Sequence, residues 1–234
     1  MAVQDRSAAG LLEQARHAVG SPASLAAVKS LMLKGEAQRR NQMSRPDNLS
    51  VAPAYVQVPF EIRVLLPDYY HATWARGRGS PMVLAFHGEK SLNGNRVDLE
   101  RQNFVRLALA LFLRLDTAIP LKLDERVLGA ATLKVTGAGG FAAFLDLDPK
   151  SHLPLRLRHT IVMKNGPDAG KARELTWVLE DRRMIQGLSV PHRIVMSHAD
   201  VHDETHRFQS ISINPPLTPS DFIVGTGRSG PGGK

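Results

Sequence analysis

The segment SHADVHDETHRF, Ser197 to Phe208, places three histidines at equal spacing, His198, His202 and His206, with Asp200, Asp203 and Glu204 among them. Imidazoles and carboxylates are zinc donors, and on a helix the i, i+4, i+8 spacing would set all three rings on one face. A metal-dependent hydrolase would use such a cluster. The flanks point elsewhere: Arg193 to Ser197 and Arg207 to Ile213 read as strands, and the polar HADVHDE reads as the connection between them. In that hairpin His198 and His206 approach across the strands while His202 sits at the tip. The hairpin is the preferred reading, and no metal is assigned.

Other reactive combinations are thinner. RGRGSP, Arg76 to Pro81, and GAGGF, Gly137 to Phe141, carry glycines and arginines without the strand-to-helix setting of a phosphate loop, so neither receives a cofactor. HGEK, His87 to Lys90, pairs a histidine with Glu89 at a strand end, a common structural arrangement. No GxSxG elbow occurs, and the absence of cysteine removes disulfides, thiolate metal sites and a cysteine nucleophile. The chain therefore reads as a non-enzyme without cofactor.

The 234 residues are 43% hydrophobic, enough for a substantial core. Lys and Arg exceed Asp and Glu by 30 to 22, a net charge of +8 that favours acidic partners. These charges are scattered among strands with no basic block, which argues against a nucleic-acid arm and for a solvated surface. The longest apolar run, FVRLALALFLRLDTAI from Phe104 to Ile119, is interrupted by Arg106, Arg114 and Asp116. It is too short to span a bilayer and reads as a buried helix, so no integral membrane protein is expected. MAVQDRSAAGLLEQARHAVG shows no signal-peptide pattern; a chain starting after a removed signal is one reading of that.

The elements follow from periodicity. Ser7 to Val19 reads as a helix with Leu11, Leu12, Ala15 and Val19 on one face and Gly20 as its stop, and a second short helix starts at Pro22 and extends to Ser30. Alternation then takes over. In AYVQVPFEIRVLLPD the residues Val56, Val58, Phe60, Ile62, Val64 and Leu66 share a face. Strands at 69–75 and 81–87 follow, then the loop NGNR at 93–96 and an apolar helix at 99–115. Further strands are expected at 126–136, 140–146, 154–164, 173–181, 191–197 and 205–213, with turns at 148–152, 165–171 and 182–187. In HLPLRLRHTIVMK the positions Leu153, Leu155, Leu157 and His159 alternate with Pro154, Arg156 and Arg158. The fold class is mainly β (α+β): nine or ten strands form a long antiparallel meander. It curls into an unclosed β-barrel, with the N-terminal helix and the mid-chain apolar helix covering the mouth. One domain over 1–224 and a disordered tail at 225–234 complete the division.

Several phrases resemble the bacterial outer-membrane lipoprotein-localisation carriers, the LolA/LolB-like superfamily. AVGSPASLAAVKSLMLKGEA resembles the small helix and first strand of that group, and FLDLDPKSHLPLRLRHTI its strand, Asp-Pro turn and strand. GLSVPHRIVMS and RFQSISINPPLTPSDF are similar to its terminal hairpin and Asn-Pro-Pro exit, so the likeness runs through about residues 11–224. It implies a half-barrel that binds a lipid or lipoprotein acyl chain in the periplasm or cell envelope, without enzymatic activity and with a possible envelope partner protein. Inward positions Ile62, Val64, Leu155, Leu157 and Trp177 would line the cavity, and Leu107, Leu111 and Leu115 on the helix would close it. Trp74, Phe60, Phe104, Phe112 and Phe144 read as core or cavity lining. The alternatives are a structural or interaction module whose barrel is filled by its own side chains, and the hydrolase built on the His198–His206 cluster.

Overall fold

Period-two alternation gives strands with one buried face, and it runs through most of this chain. The computed structural model describes residues 7–40, 55–76, 79–88, 90–92, 97–117, 119–162, 171–198 and 201–223. Within them, α1 (Ala8–Val19) and α2 (Pro22–Ala26) precede β1 (Ser30–Arg40), β2 (Tyr55–Leu65), β3 (Tyr69–Arg76), β4 (Gly79–His87) and β5 (Lys90–Ser91). Helix α3 (Val97–Phe112) follows. The chain then runs through β6 (Leu121–Leu128), β7 (Thr132–Gly137), β8 (Ala142–Leu147), β9 (Pro154–Val162), β10 (Ala172–Ile185), β11 (Leu188–His198) and β12 (Val201–Ile213). The loop at 93–96, most of the turn at 165–171 and the tail at 225–234 lie outside the described residues.

All twelve strands join one antiparallel sheet in the order β5-β4-β3-β2-β1-β12-β11-β10-β9-β8-β7-β6. The first and last strands thus pair in the middle of the sheet, while its two edges, β5 and β6, are joined through α3. The sheet is an unclosed barrel with helices. The seam between β1 and β12 is tied at one end by Asn214, in a left-handed conformation at φ 56°. Its Oδ1 accepts from Lys29 N at 2.7 Å, and its Nδ2 donates to Ala27 O at 2.9 Å. The Asn-Pro-Pro exit is therefore a clamp on the start of β1.

The helices begin as their caps dictate. Ser7 and Ser21 accept from Gly10 N and Ser24 N, and Pro22 occupies the first turn of α2. Gly20 stops α1 for a reason of packing: it is fully extended (φ 173°), and a Cβ there would lie 2.4 Å from Leu188 Cδ2. Helix α2 ends at Ala26, and the alternation of LMLKGEA beyond it is strand β1, where a longer helix to Ser30 is expected from sequence.

Two further expectations change. The stretch 126–136 is not one strand: Gly129, at φ 57°, turns the chain between β6 and β7. The stretch 182–187 is mostly strand, since β10 runs to Ile185 and only Gln186 and Gly187, both at positive φ, make the turn to Leu188. The third change concerns facing. Leu147 pairs with Pro154 and Asp146 with Arg156, so Leu155 is the extra residue of a β-bulge. The bulge resets the alternation: Pro154 is buried, Leu155 is 44% exposed and Leu157 is fully buried. Leu155 thus faces solvent, away from the interior it was expected to line. Leu157→Ala should cost about 2–5 kcal/mol, as buried leucine truncations do, and Leu155→Ala should stay within about 0.5 kcal/mol of wild type; urea denaturation of the two variants checks the bulge.

Candidate functional site: the barrel interior

The second half of helix α3 is buried on every side. From Phe104 to Leu113 each residue is buried, including Phe104, Val105, Leu109, Ala110, Leu111 and Leu113 at no more than 1% exposure. A helix apolar all round belongs inside a core rather than on its surface. It lies against β4 and β9, so it spans from one side of the curled sheet to the other. On the β4 side Phe104 meets Phe86 edge-on at 5.6 Å and Tyr70 at 6.1 Å. At its C-terminal end Leu113 turns left-handed (φ 55°), and Leu113 O accepts from Arg16 Nη2 of α1 at 3.2 Å. Beyond α3, Arg114 and Asp116 pair with each other at 2.7 Å, and Arg106 is the buried charge among the described side chains of α3.

A small cavity remains between α3 and the paired β1 and β2. It is lined by Leu31, Val64, Leu66, Phe104, Leu107 and Leu111, with Val28, Ala108 and Phe112, and leaves about 10 Å³ to the centre of a water-sized sphere. That is room for about one water, and an apolar lining keeps such a space dry. Of the expected lining residues, Val64, Leu107 and Leu111 meet at this cavity. Ile62 is buried on the same face of β2. Leu157 and Trp177 are register partners on β9 and β10, away from the cavity, and Leu115 packs half-buried against the core beyond α3. Phe144 departs from expectation: it is only half-buried, and the Arg158 guanidinium sits 5.3 Å from its ring centroid.

The interior also holds polar groups. Arg106 is 2% exposed. Its Nη2 donates to Asn103 Oδ1, its Nη1 donates to His159 Nε2, and its guanidinium carbon lies 5.5 Å from the Trp177 ring centroid. Nε has no hydrogen-bond partner, and neither does His159 Nδ1. Burial pulls Arg106 down to about 9. Burial first, then the Arg106 charge, push His159 down to about 2. Both follow from the cost of charge in a low-dielectric interior. The signal in the sequence was one arginine inside an otherwise apolar helical run. Near the other end of β1, Arg39 Nε lies 2.8 Å from Glu204 Oε1 and 5.2 Å from the Trp74 ring centroid, and Glu204 accepts from His206 Nε2. Burial works to raise the Glu204 carboxyl, but the His206 and Arg39 contacts outweigh it and hold the group below its ordinary value.

The histidine cluster resolves as a hairpin with longer strands than its composition suggests. β11 runs to His198 and β12 starts at Val201, with His198 opposite Val201, Ser197 opposite His202 and Ile194 opposite His206. His198 and His206 therefore do not face each other. Among the described residues, no group of three His, Cys, Asp or Glu is placed to hold a metal; Asp200 and the side chains of His202 and Asp203 lie outside them. His87 stacks on Tyr69 at 3.8 Å and reaches Asp68 at 3.3 Å, while Glu89 lies outside the described residues.

Compared with solved structures, the chain is similar to a LolA superfamily protein from Nitrosomonas europaea. The identity is 14%, the match covers 93% of this chain and 97% of that one, and the TM-score is 0.51. A Vibrio parahaemolyticus domain described as an outer membrane lipoprotein-sorting protein follows, with 12% identity, 92% and 97% coverage and a TM-score of 0.49. No protein-family profile and no curated protein matches the sequence. The fold is LolA-like.

A neutral buried His159 links stability to pH. Its folded value lies below the ordinary 6.5, so below pH 6.5 the unfolded chain binds a proton that the folded chain refuses. Stability from this site is complete above pH 6.5 and falls by about 1.4 kcal/mol per pH unit on acidification towards pH 2. Denaturant melts at pH 6.5 and 4.5 should differ by about 2–3 kcal/mol more in the wild type than in His159→Gln.

Proposed function

We propose that the protein binds or carries, without catalysis, a lipid or lipoprotein acyl chain in the bacterial cell envelope, working with a possible envelope partner protein. The observation that carries this reading is α3. Its second half, from Phe104 to Phe112, is buried and apolar but for Arg106, and the helix joins the two sheet edges and occupies the volume an acyl chain would fill. Val64, Leu107 and Leu111 would contact the chain where the cavity widens, with Ile62, Leu157 and Trp177 deeper in the interior and Leu115 at the helix exit. Burial of apolar surface supplies affinity at about 0.8 kcal/mol per methylene, so part of an acyl chain suffices. The shared fold supports the reading at the level of architecture. Among the described residues, no helix is long and apolar enough to cross a membrane.

One observation favours a second reading. The cavity beside α3 has room for about one water, as in a structural or interaction module whose barrel is filled by its own side chains. The two differ in whether α3 yields. N-phenylnaphthylamine, a neutral probe that brightens in apolar surroundings, should be taken up with saturable fluorescence by the carrier. Leu111→Trp, which adds bulk at the cavity, should weaken that uptake several-fold. A folded wild-type protein that leaves the probe dark is a filled barrel.

A further inference from the structure

The interior of the barrel contains a positive charge with no acidic partner among the described residues. Arg106 is 2% exposed and lies on the buried stretch of α3. Among the described residues no carboxylate lies within ion-pair distance, and its partners are the neutral Asn103 and His159 side chains and the Trp177 ring. Arg39 and Arg182 are met differently, although Arg182 Nε also lacks an acceptor. Arg39 has Glu204 at 2.8 Å. Arg182 is only half-buried and donates to the backbone carbonyls of Ser189 and Pro154 at 2.9 and 2.6 Å.

The donor pattern sharpens the point. A guanidinium only donates, so His159 Nε2 must accept from Arg106 and the neutral ring carries its proton on Nδ1. That Nδ1–H and the Arg106 Nε–H are both buried donors without an acceptor. Two orphaned donors and one uncompensated cation share one deficiency, the lack of an anionic acceptor.

We infer that Arg106 is the anchor for the oxyanion head of a single-chain acyl ligand, the carboxylate of a free fatty acid. This rests on the acyl-binding reading above and narrows it. An ester- or amide-linked acyl chain brings no charge to the interior, whereas a free acid brings one. A carboxylate would take the Nε–H and an Nη–H of Arg106 side by side, the geometry in which arginine binds carboxylates most strongly. The tail would then run through the apolar interior that α3 shares with the sheet. A phosphate offers the same oxygens, so the test separates a headgroup from a free anion.

The test is titration of the full chain with palmitate, with hexadecanol, which has the same chain and no charge, and with inorganic phosphate, read by tryptophan fluorescence below the aggregation limit of each ligand. Palmitate should bind at least about tenfold more tightly than hexadecanol, the scale of one charged hydrogen bond. That preference should collapse towards unity in Arg106→Met and persist in part in Arg106→Lys. Equal affinity for palmitate and hexadecanol would overturn the anion anchor and leave acyl binding standing. Binding of neither lipid would overturn both. Phosphate binding as tightly as palmitate would overturn the acyl source in favour of a free-anion site. The wild-type comparison alone decides the matter if the Met variant does not fold.

Discussion

A curled sheet with one apolar face must cover that face, and here the cover is the connection between the sheet's own edges. Because β1 pairs with β12, the meander closes upon itself in the middle and opens between β5 and β6. Helix α3 is the only described helix between those two strands. Its position inside the curl follows from that topology, and its composition follows from its position: ten successive buried residues leave no face for solvent. Arg16 of α1 holds the far end of α3 at Leu113 O, so the two helices act on the opening together.

The interior is graded along the strands. Where β1 begins and β2 ends, the lining is Val28, Leu31, Val64 and Leu66 against α3. Where β1 ends and β12 begins, the same inward faces carry Arg39, Glu204 and His206 beside Trp74 and Phe60. That cluster is internally balanced, with an anion between two basic groups. The Arg106 site, on α3 and facing β9 and β10, has no such balance among the described residues. The contrast within one barrel shows that the fold can supply an acidic partner to a half-buried arginine.

Much of this was legible in the residues. Alternation located most strands, and the apolar run from Phe104 identified a buried helix despite Arg106. The facing of single residues was harder to read, and bulges are the reason. A bulge adds one residue to one strand and reverses the alternation beyond it. Leu155, apolar and in phase with Leu153 and Leu157, lands outside because the extra residue falls there. A second irregularity, between Met196 and Ser197 in the pairing of β11 with β12, shifts the register of the histidine hairpin. The turn at Gly129 hid inside an apolar stretch because one glycine at positive φ suffices to reverse a chain.

The position of Arg106 was visible and its consequence was not, because periodicity reports which face is apolar and is silent about which polar group lacks a partner. Partnering is a property of three elements at once: α3 supplies the guanidinium and Asn103, β9 supplies His159 and β10 supplies Trp177. Each residue is unremarkable alone in its own element. Together they place a cation, a neutral imidazole and an aromatic face in a low-dielectric interior, where an uncompensated charge has the largest effect on what else that interior accepts. For the proposed acyl ligand, the apolar lining would set how much of the chain the barrel holds, and the Arg106–His159 pair would set which end of it enters.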